Sequence, residues 1–150
     1  MKPSNVFPKS SPAQFTAAFD RFCMDGPRSF REMDGALRAA GYVPVRRDRG
    51  RTDRLYVTDS KRPAVRLTSS TCAVVGTSRT GQTDAVRRYV RGSFPKAAEI
   101  AADRVGGDVE QAWLVGSDPQ EIIGTGRFND LEVGTRYALI RFRDGLYSTR

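Results

Sequence analysis

Apolar residues in the first quarter of the chain recur with the period of an α-helix. Residues Ser11–Gln14 carry a start signal, in which a capping serine is followed by proline and, three residues after the serine, by glutamine. Phe15, Phe19 and Phe22 then fall on one stripe. A second capping box, Ser29–Glu32, begins another amphipathic segment. The pattern predicts two helices that pack as an αα-hairpin.

The apolar pattern then changes to that of β-strands. Four short strands are predicted, at Tyr42–Val45, Arg54–Thr58, Ala64–Thr68 and Thr71–Val75. Turn-forming residues separate them, so an antiparallel meander is the simplest topology. Pro44 has no N–H to donate to a neighbouring strand, and we therefore expect the first strand at an edge of the sheet.

The second half of the chain combines helical and strand patterns. A third helix is predicted from about Gln82 to Arg91, and the alanine-rich segment Lys96–Val105 is also predicted as helix. Further strands are predicted at Ala112–Val115, Glu121–Ile123 and Arg136–Arg143. The predicted fold class is α+β: an N-terminal αα-hairpin, then an antiparallel sheet with one or two further helices packed on one face. Residues 1–10 are predicted as a tail and residues 11–150 as a single domain.

The amino-acid composition limits the kinds of catalytic and metal-binding sites that the chain can form. Histidine is absent from the 150 residues, and cysteine occurs twice. This excludes Ser-His-Asp and Cys-His nucleophiles, a histidine general base and Cys₂His₂ zinc sites, and two cysteines cannot form a four-thiolate site. Glu110 is interpreted as a solvated turn residue and Trp113 as a core residue. We therefore predict that the protein is not an enzyme and has no catalytic residue, metal or cofactor.

Positive charge is concentrated in the first two thirds of the chain. The formal net charge is +8, and residues 1–98 hold 19 basic and 8 acidic residues. A loop between two predicted strands is the densest part. The predicted polyanion-binding residues are Arg46, Arg47, Arg49, Arg51 and Arg54, extended by Arg66, Arg87, Arg88 and Arg91. Guanidinium groups can clamp phosphates in pairs, although a solvated loop in an arginine-rich chain is the plainer interpretation.

The segment Gly76–Thr83 has the spacing of a phosphate-binding loop between a strand and a helix. Gln82, however, occupies the position of the lysine that neutralises the β- and γ-phosphates. An ordinary strand-to-helix turn with Thr80 as N-cap is the favoured interpretation. The alternatives that stay open are a nucleotide site and a single-anion site at Arg79, Thr80 and Gly81.

The two cysteines, Cys23 and Cys72, lie in apolar segments. Each is typical of a buried core residue, and in an oxidising compartment they are candidates for a disulfide. Neither has a CxxC partner, which argues against redox catalysis.

Two resemblances to known families follow from these residues. The segment from Phe19 to Tyr89 resembles a group of small, uncharacterised, exported bacterial proteins in carrying Phe-x-x-Phe-Cys at Phe19–Cys23, Ala-Gly-aromatic at Ala40–Tyr42 and a second cysteine at Cys72. That resemblance implies a secreted or periplasmic disulfide domain without known activity. The order of elements over Arg31–Thr68 is similar to double-stranded-RNA-binding folds and to small toxin ribonucleases of that shape. Because those nucleases use a histidine, this likeness implies binding only.

Taken together, the sequence predicts a non-catalytic binding or assembly module whose arginine-rich loop engages a polyanion, such as a nucleic acid, or an acidic protein surface. The alternative is an exported or periplasmic accessory or structural protein stabilised by a disulfide. A homo-oligomer is possible because a basic segment precedes an acidic one. The longest apolar runs are too short for a membrane span, and the N-terminus has no leader as written, so the compartment stays open between cytoplasm and export.

Overall fold

One eight-stranded antiparallel sheet forms the centre of the fold. A computed structural model describes residues 9–45, 54–59, 61–77, 80–130 and 134–148. The strands are β1 (Val43–Val45), β2 (Arg54–Val57), β3 (Ala64–Leu67), β4 (Thr71–Thr77), β5 (Ala98–Ile100), β6 (Val109–Ser117), β7 (Gln120–Asp130) and β8 (Gly134–Phe142). Their order across the sheet is β1-β2-β3-β4-β8-β7-β6-β5.

The sheet consists of two four-stranded meanders that meet at one seam. Strands β1 to β4 pair in chain order, as do β5 to β8, and the ladder between β4 and β8 joins the two halves. The predicted first meander is confirmed. Pro44 lies in β1 at the outer edge of the sheet, as its missing N–H group predicts.

Three helical segments accompany the sheet. Helix α1 (Pro12–Ala18) continues directly into a π-helical turn, Phe19–Met24, so that the two form one helix. The others are α2 (Phe30–Ala39) and α3 (Gln82–Ser93), and a short 3₁₀ turn lies at Ala102–Arg104. None of these helices in the described part of the chain is long and apolar enough to cross a membrane.

The helix boundaries follow from local chemistry. The side chains of Ser11 and Ser29 accept hydrogen bonds from the backbone N–H groups of Gln14 and Glu32, as the capping boxes predict. Gly41 follows α2 with a φ of +93°, a left-handed conformation that glycine adopts without steric cost.

The sheet and the helices confirm the predicted α+β class. The αα-hairpin stays a prediction, since α1 makes its main helix contacts with α3.

Two local predictions are wrong. The segment predicted as helix at Lys96–Val105 contains strand β5 and the 3₁₀ turn instead. Its alanines favour a helix, but Ala98, Glu99 and Ile100 pair with β6, and this tertiary pairing overrides the local preference. The N-cap of α3 is Gly81, not Thr80, and its φ of +84° is a left-handed conformation that glycine adopts more readily than threonine.

The main core lies between the helices and one face of the sheet. Phe15, Phe19 and Phe22 are buried against this face, which confirms the predicted stripe. Trp113 is also almost fully buried, at 8% exposure. The opposite face of the sheet carries smaller apolar clusters around Leu55 and Ala73. Strand alternation therefore assigns each sheet residue either to the helix-covered face or to the other.

Cys23 fastens the first helix to the seam of the sheet. Its sulfur forms a disulfide with Cys72 of β4, and the backbone carbonyl of Cys23 accepts a hydrogen bond of 2.8 Å from Arg141 Nη1 of β8. Cys72 and Arg141 are direct partners in the β4–β8 ladder. The other guanidinium nitrogen, Nη2, pairs with Glu121 Oε1 at 2.6 Å, which compensates the charge of a side chain that is almost wholly buried.

Replacing both cysteines by alanine is expected to lower the free energy of unfolding by about 4 kcal/mol, because the disulfide restricts a 49-residue loop in the unfolded chain. Urea denaturation of C23A/C72A against the oxidised protein measures this difference. Reduced wild-type protein is the control and should match the variant, since both lack the same constraint. A variant as stable as the oxidised protein would contradict the assignment of a stabilising role to the disulfide.

Candidate functional site

Four of the five arginines predicted in the arginine-rich loop lie outside the described residues. They are Arg46, Arg47, Arg49 and Arg51. Arg54, at the start of β2, is described. Its guanidinium carbon lies 4.7 Å from the centre of the Phe30 ring, so this end of the loop packs against the start of α2.

The described members of the predicted arginine set do not form one surface. Arg66 is paired across the sheet with Leu55 and Ala73, which places it on the face opposite the helices. Arg54 lies on β2, five strand positions from β6, which is roughly 24 Å at the usual strand spacing. Arg87, by contrast, belongs to α3 and bonds to β6. The structure therefore brings together only the three arginines of α3.

Those three, Arg87, Arg88 and Arg91, lie on the solvent side of α3 and are all exposed. Val86 and Val90 occupy the buried side. Positions that are three and four residues apart share a helix face, so the guanidinium groups form a single stripe. We call these three residues the α3 arginine stripe.

The phosphate-loop-like segment is only partly described. Arg79 lies outside the described residues, while Thr80 and Gly81 are exposed just before α3. Gln82, at the position where a phosphate loop has its lysine, is fully buried. Its side chain is thus directed into the protein, and the described residues provide no counterpart of that lysine.

A cleft lies between α3 and strands β5 and β6. Its larger chamber, of about 530 Å³, is lined by Arg87, Val90, Arg91, Phe94, Pro95, Ala97, Glu99, Gln111 and Trp113. Its apolar lining comes from Val90, Phe94, Pro95, Ala97 and Trp113, while polar atoms provide the larger part of the exposed lining. The two arginines of the stripe that line this chamber, Arg87 and Arg91, stand at its rim. The chamber thus joins an apolar surface to a basic one.

A smaller and more polar chamber of about 220 Å³ adjoins the first. It is lined by Thr83, Arg87, Glu99, Glu110, Gln111, Thr125 and Tyr137. Both chambers share three of these side chains, Arg87, Glu99 and Gln111. They are therefore two parts of one cleft.

Hydrogen bonds connect the shared side chains in sequence. Arg87 Nε donates to Gln111 Oε1 at 3.1 Å, and Gln111 Nε2 donates to Glu99 Oε1 at 3.2 Å. The amide thus links a cation of α3 to an anion of β5. This arrangement holds opposite charges apart and leaves donors and acceptors side by side along the cleft.

Arg127 of β7 contacts three of the residues that line the polar chamber. Its Nη1 lies 3.7 Å from Glu110 Oε2, and Nη2 donates to Thr83 Oγ1 at the long distance of 3.4 Å. The guanidinium carbon stands 5.3 Å from the centre of the Tyr137 ring. Each of these contacts is individually weak, because the ion pair is exposed and the hydrogen bond is long.

Tyr137 contributes a buried phenol to the wall of the polar chamber. Burial raises the pKa of this phenol, and the nearby side chains of Thr83 and Thr125 oppose that shift. The two threonine hydroxyls thus lie near Tyr137 Oη, but within the described residues the oxygen has no hydrogen-bond partner. A buried hydroxyl in this state costs free energy, since it has lost water without gaining a replacement.

Sequence reasoning missed this cleft. The sequence pattern predicts Glu99 in a helix and Glu110 in a turn, whereas both lie on strands. A signal was nevertheless available in the alternation of β6 and β7. On the helix-covered face Gln111 precedes Trp113, and Thr125 follows Ile123, so polar residues take over at one end of an otherwise apolar face.

The unpartnered phenol makes a prediction about stability. Tyr137→Phe should leave the free energy of unfolding unchanged or raise it, because the oxygen it removes has no partner among the described residues. Tyr42→Phe is the matched control: Tyr42 is equally buried, but its hydroxyl donates to the carbonyl of Pro63 at 2.9 Å. The control should lose about 1 kcal/mol in urea denaturation. Equal losses in the two variants would show that the Tyr137 hydroxyl is hydrogen-bonded in the folded protein.

Comparison of the chain with protein-family models, with curated proteins and with solved structures finds no match in any of the three. No activity can therefore be inferred for this chain from a relative. The side chains described above and their contacts are the basis for proposing a function.

Proposed function

We propose that the protein is a binding or assembly module that acts without catalysis and uses its basic surface to engage a polyanion, such as a nucleic acid, or an acidic protein surface. The observation that carries this proposal is the α3 arginine stripe. It presents three exposed guanidinium groups on one helix.

The charge of the stripe is only weakly compensated within the protein. In the described part of the chain, Arg88 and Arg91 make no ion pair, and Arg87 is hydrogen-bonded to the neutral amide of Gln111. The acidic residue of the same helix, Asp84, lies in its first turn. Positive charge thus collects toward the C-terminal half of α3, where the helix dipole favours cations.

Electrostatic attraction supplies the affinity in this proposal. Each phosphate or carboxylate group that an arginine neutralises releases counterions, so binding weakens as salt is added. The planar guanidinium donates two parallel hydrogen bonds, which orients an oxyanion as well as attracting it. The loop arginines Arg46, Arg47, Arg49 and Arg51, together with Arg54, would add to the general attraction.

Neutralising the stripe tests this proposal. For Arg88→Gln/Arg91→Gln, the slope of log K against log salt concentration on duplex DNA, duplex RNA or heparin should become shallower by about two, one unit for each lost contact. The measurement is fluorescence anisotropy at several salt concentrations. Arg28→Gln/Arg31→Gln is the matched control, because it also removes two positive charges from exposed positions. Arg28 lies just before α2 and Arg31 lies within it.

Two results would contradict the proposal. One is the absence of binding to all three polyanions, and to an acidic protein, at low ionic strength. The other is an identical salt slope in the two double variants, which would indicate a response to net charge without any role for the α3 stripe.

A second candidate function is that of an exported or periplasmic accessory protein stabilised by its disulfide. The observation that favours it is the Cys23–Cys72 bridge, since such bonds persist mainly in oxidising compartments. In this alternative the basic residues contribute solubility, and the disulfide contributes stability.

Peptide mapping of protein isolated from its native cell distinguishes the compartments. Digestion with trypsin under non-reducing conditions should yield peptides 22–28 and 67–79 joined as one species, which separates on reduction. Alkylation with iodoacetamide before lysis is the control against oxidation during preparation. Recovery of the two peptides separately, with both thiols alkylated, would rule out the exported protein.

A further inference from the structure

We propose that the cleft beneath α3 is a carbohydrate-binding site, in which the smaller, polar chamber takes one neutral sugar unit and the larger chamber, with its mixed lining, packs against the next. The proposal does not depend on the polyanion function. It follows from the chemistry of the lining, from one unpartnered hydroxyl and from the balance of charge around the cleft.

The polar chamber offers hydrogen-bond donors and acceptors in alternation. Gln111 provides both in one planar group, and the hydroxyls of Thr83 and Thr125 can act in either direction. Arg87 and Glu99 lie on either side of the amide, in the order donor, amide, acceptor. A sugar hydroxyl donates one hydrogen bond and accepts others, so adjacent hydroxyls of a sugar ring require this mixture of partners.

The Tyr137 hydroxyl supplies the second and independent observation. It is buried in the chamber wall without a hydrogen-bond partner among the described residues. The Thr83 hydroxyl beside it accepts a long hydrogen bond of 3.4 Å from Arg127 Nη2. Because this hydrogen bond is long, we expect Thr83 to rotate on ligand binding and to give the ligand access to Tyr137 Oη. A hydroxyl of the ligand would then satisfy the phenol and recover the free energy that its burial costs.

The larger chamber fits the apolar face of a sugar. Its lining includes Trp113, Val90, Phe94 and Pro95, of which Phe94 and Pro95 are the more exposed. The C–H groups on one face of a pyranose ring pack against such aromatic and aliphatic surfaces, and burying them is favourable. Arg91 at the rim is placed to bond the hydroxyls at the edge of the same ring.

The charges around the cleft favour a neutral ligand. Glu99 and Glu110 line the polar chamber and would repel a phosphate or a carboxylate. Arg87 lines it as well, and Arg127 stands next to it, so a cationic ligand would be repelled in turn. A neutral polyhydroxylated ligand is the class that both sets of charges accept, because each can form hydrogen bonds to hydroxyl groups.

The single tryptophan makes the site directly observable. Trp113 is the only tryptophan of the chain, so its fluorescence reports on the larger chamber alone. The probes are four neutral disaccharides: maltose, cellobiose, lactose and N,N′-diacetylchitobiose. At least one should produce a saturable change in emission. Its affinity should be almost the same at low and high salt, since no net charge is neutralised.

Three variants test the assignment of residues. Tyr137→Phe should weaken binding about fivefold to tenfold, the loss expected for one hydrogen bond, while remaining at least as stable as the parent protein. Gln111→Ala should weaken binding by at least as much. Tyr42→Phe, a buried control outside the cleft, should bind as the parent protein does.

Some outcomes would overturn the proposal. They are no saturable change with any of the four disaccharides, unaltered affinity in both Tyr137→Phe and Gln111→Ala, or an affinity that falls steeply with salt. The Arg88→Gln variant separates this proposal from the polyanion function, because Arg88 belongs to the α3 arginine stripe and lines neither chamber. It should retain the disaccharide affinity of the parent protein while the salt slope of polyanion binding becomes shallower by about one, so either function can fail without the other.

Discussion

The position of Cys23 is the constraint on which the arrangement of this fold depends. Two meanders share a single ladder between β4 and β8, and Cys23 is attached to both of its strands, by the disulfide to Cys72 and by the hydrogen bond from Arg141. A covalent bond and a charge-assisted hydrogen bond therefore converge on one residue of the first helix. The helix cannot shift along the sheet without breaking one of them.

This attachment extends to the cleft through aromatic contacts. The Phe19 ring meets Tyr89 of α3 edge-on, with 5.8 Å between ring centres, and the Tyr89 hydroxyl donates to Asp20 Oδ1 at 2.8 Å. Phe15 of α1 packs against Tyr137, with 5.7 Å between the ring centres. The first helix thus positions both the helix above the cleft and the phenol inside it. A small protein obtains a defined site by this succession of contacts from one anchored residue.

Local patterns were sufficient for much of the fold. Capping serines, the phenylalanine stripe and turn residues predicted α1, α2 and the first meander, because each depends on neighbours along the chain. The strand at Glu99 could not be predicted in this way, since its pairing with Trp113 is decided by β6. The cleft was missed for the same reason, as its walls come from five separate elements. The cysteine pair was identified as a candidate, but pairing required the helix and β4 to meet.

The ends of the sheet differ from its middle in a way that bears on solubility. The two border strands, β1 and β5, are three residues long each, and β1 has a proline at its centre. Unpaired backbone N–H and C=O groups on an edge strand can pair with the edge strand of another molecule, which leads to aggregation. Short borders, one of them lacking an amide proton at its midpoint, offer little length for such growth. Fibril formation is thereby discouraged, although the sheet has eight strands.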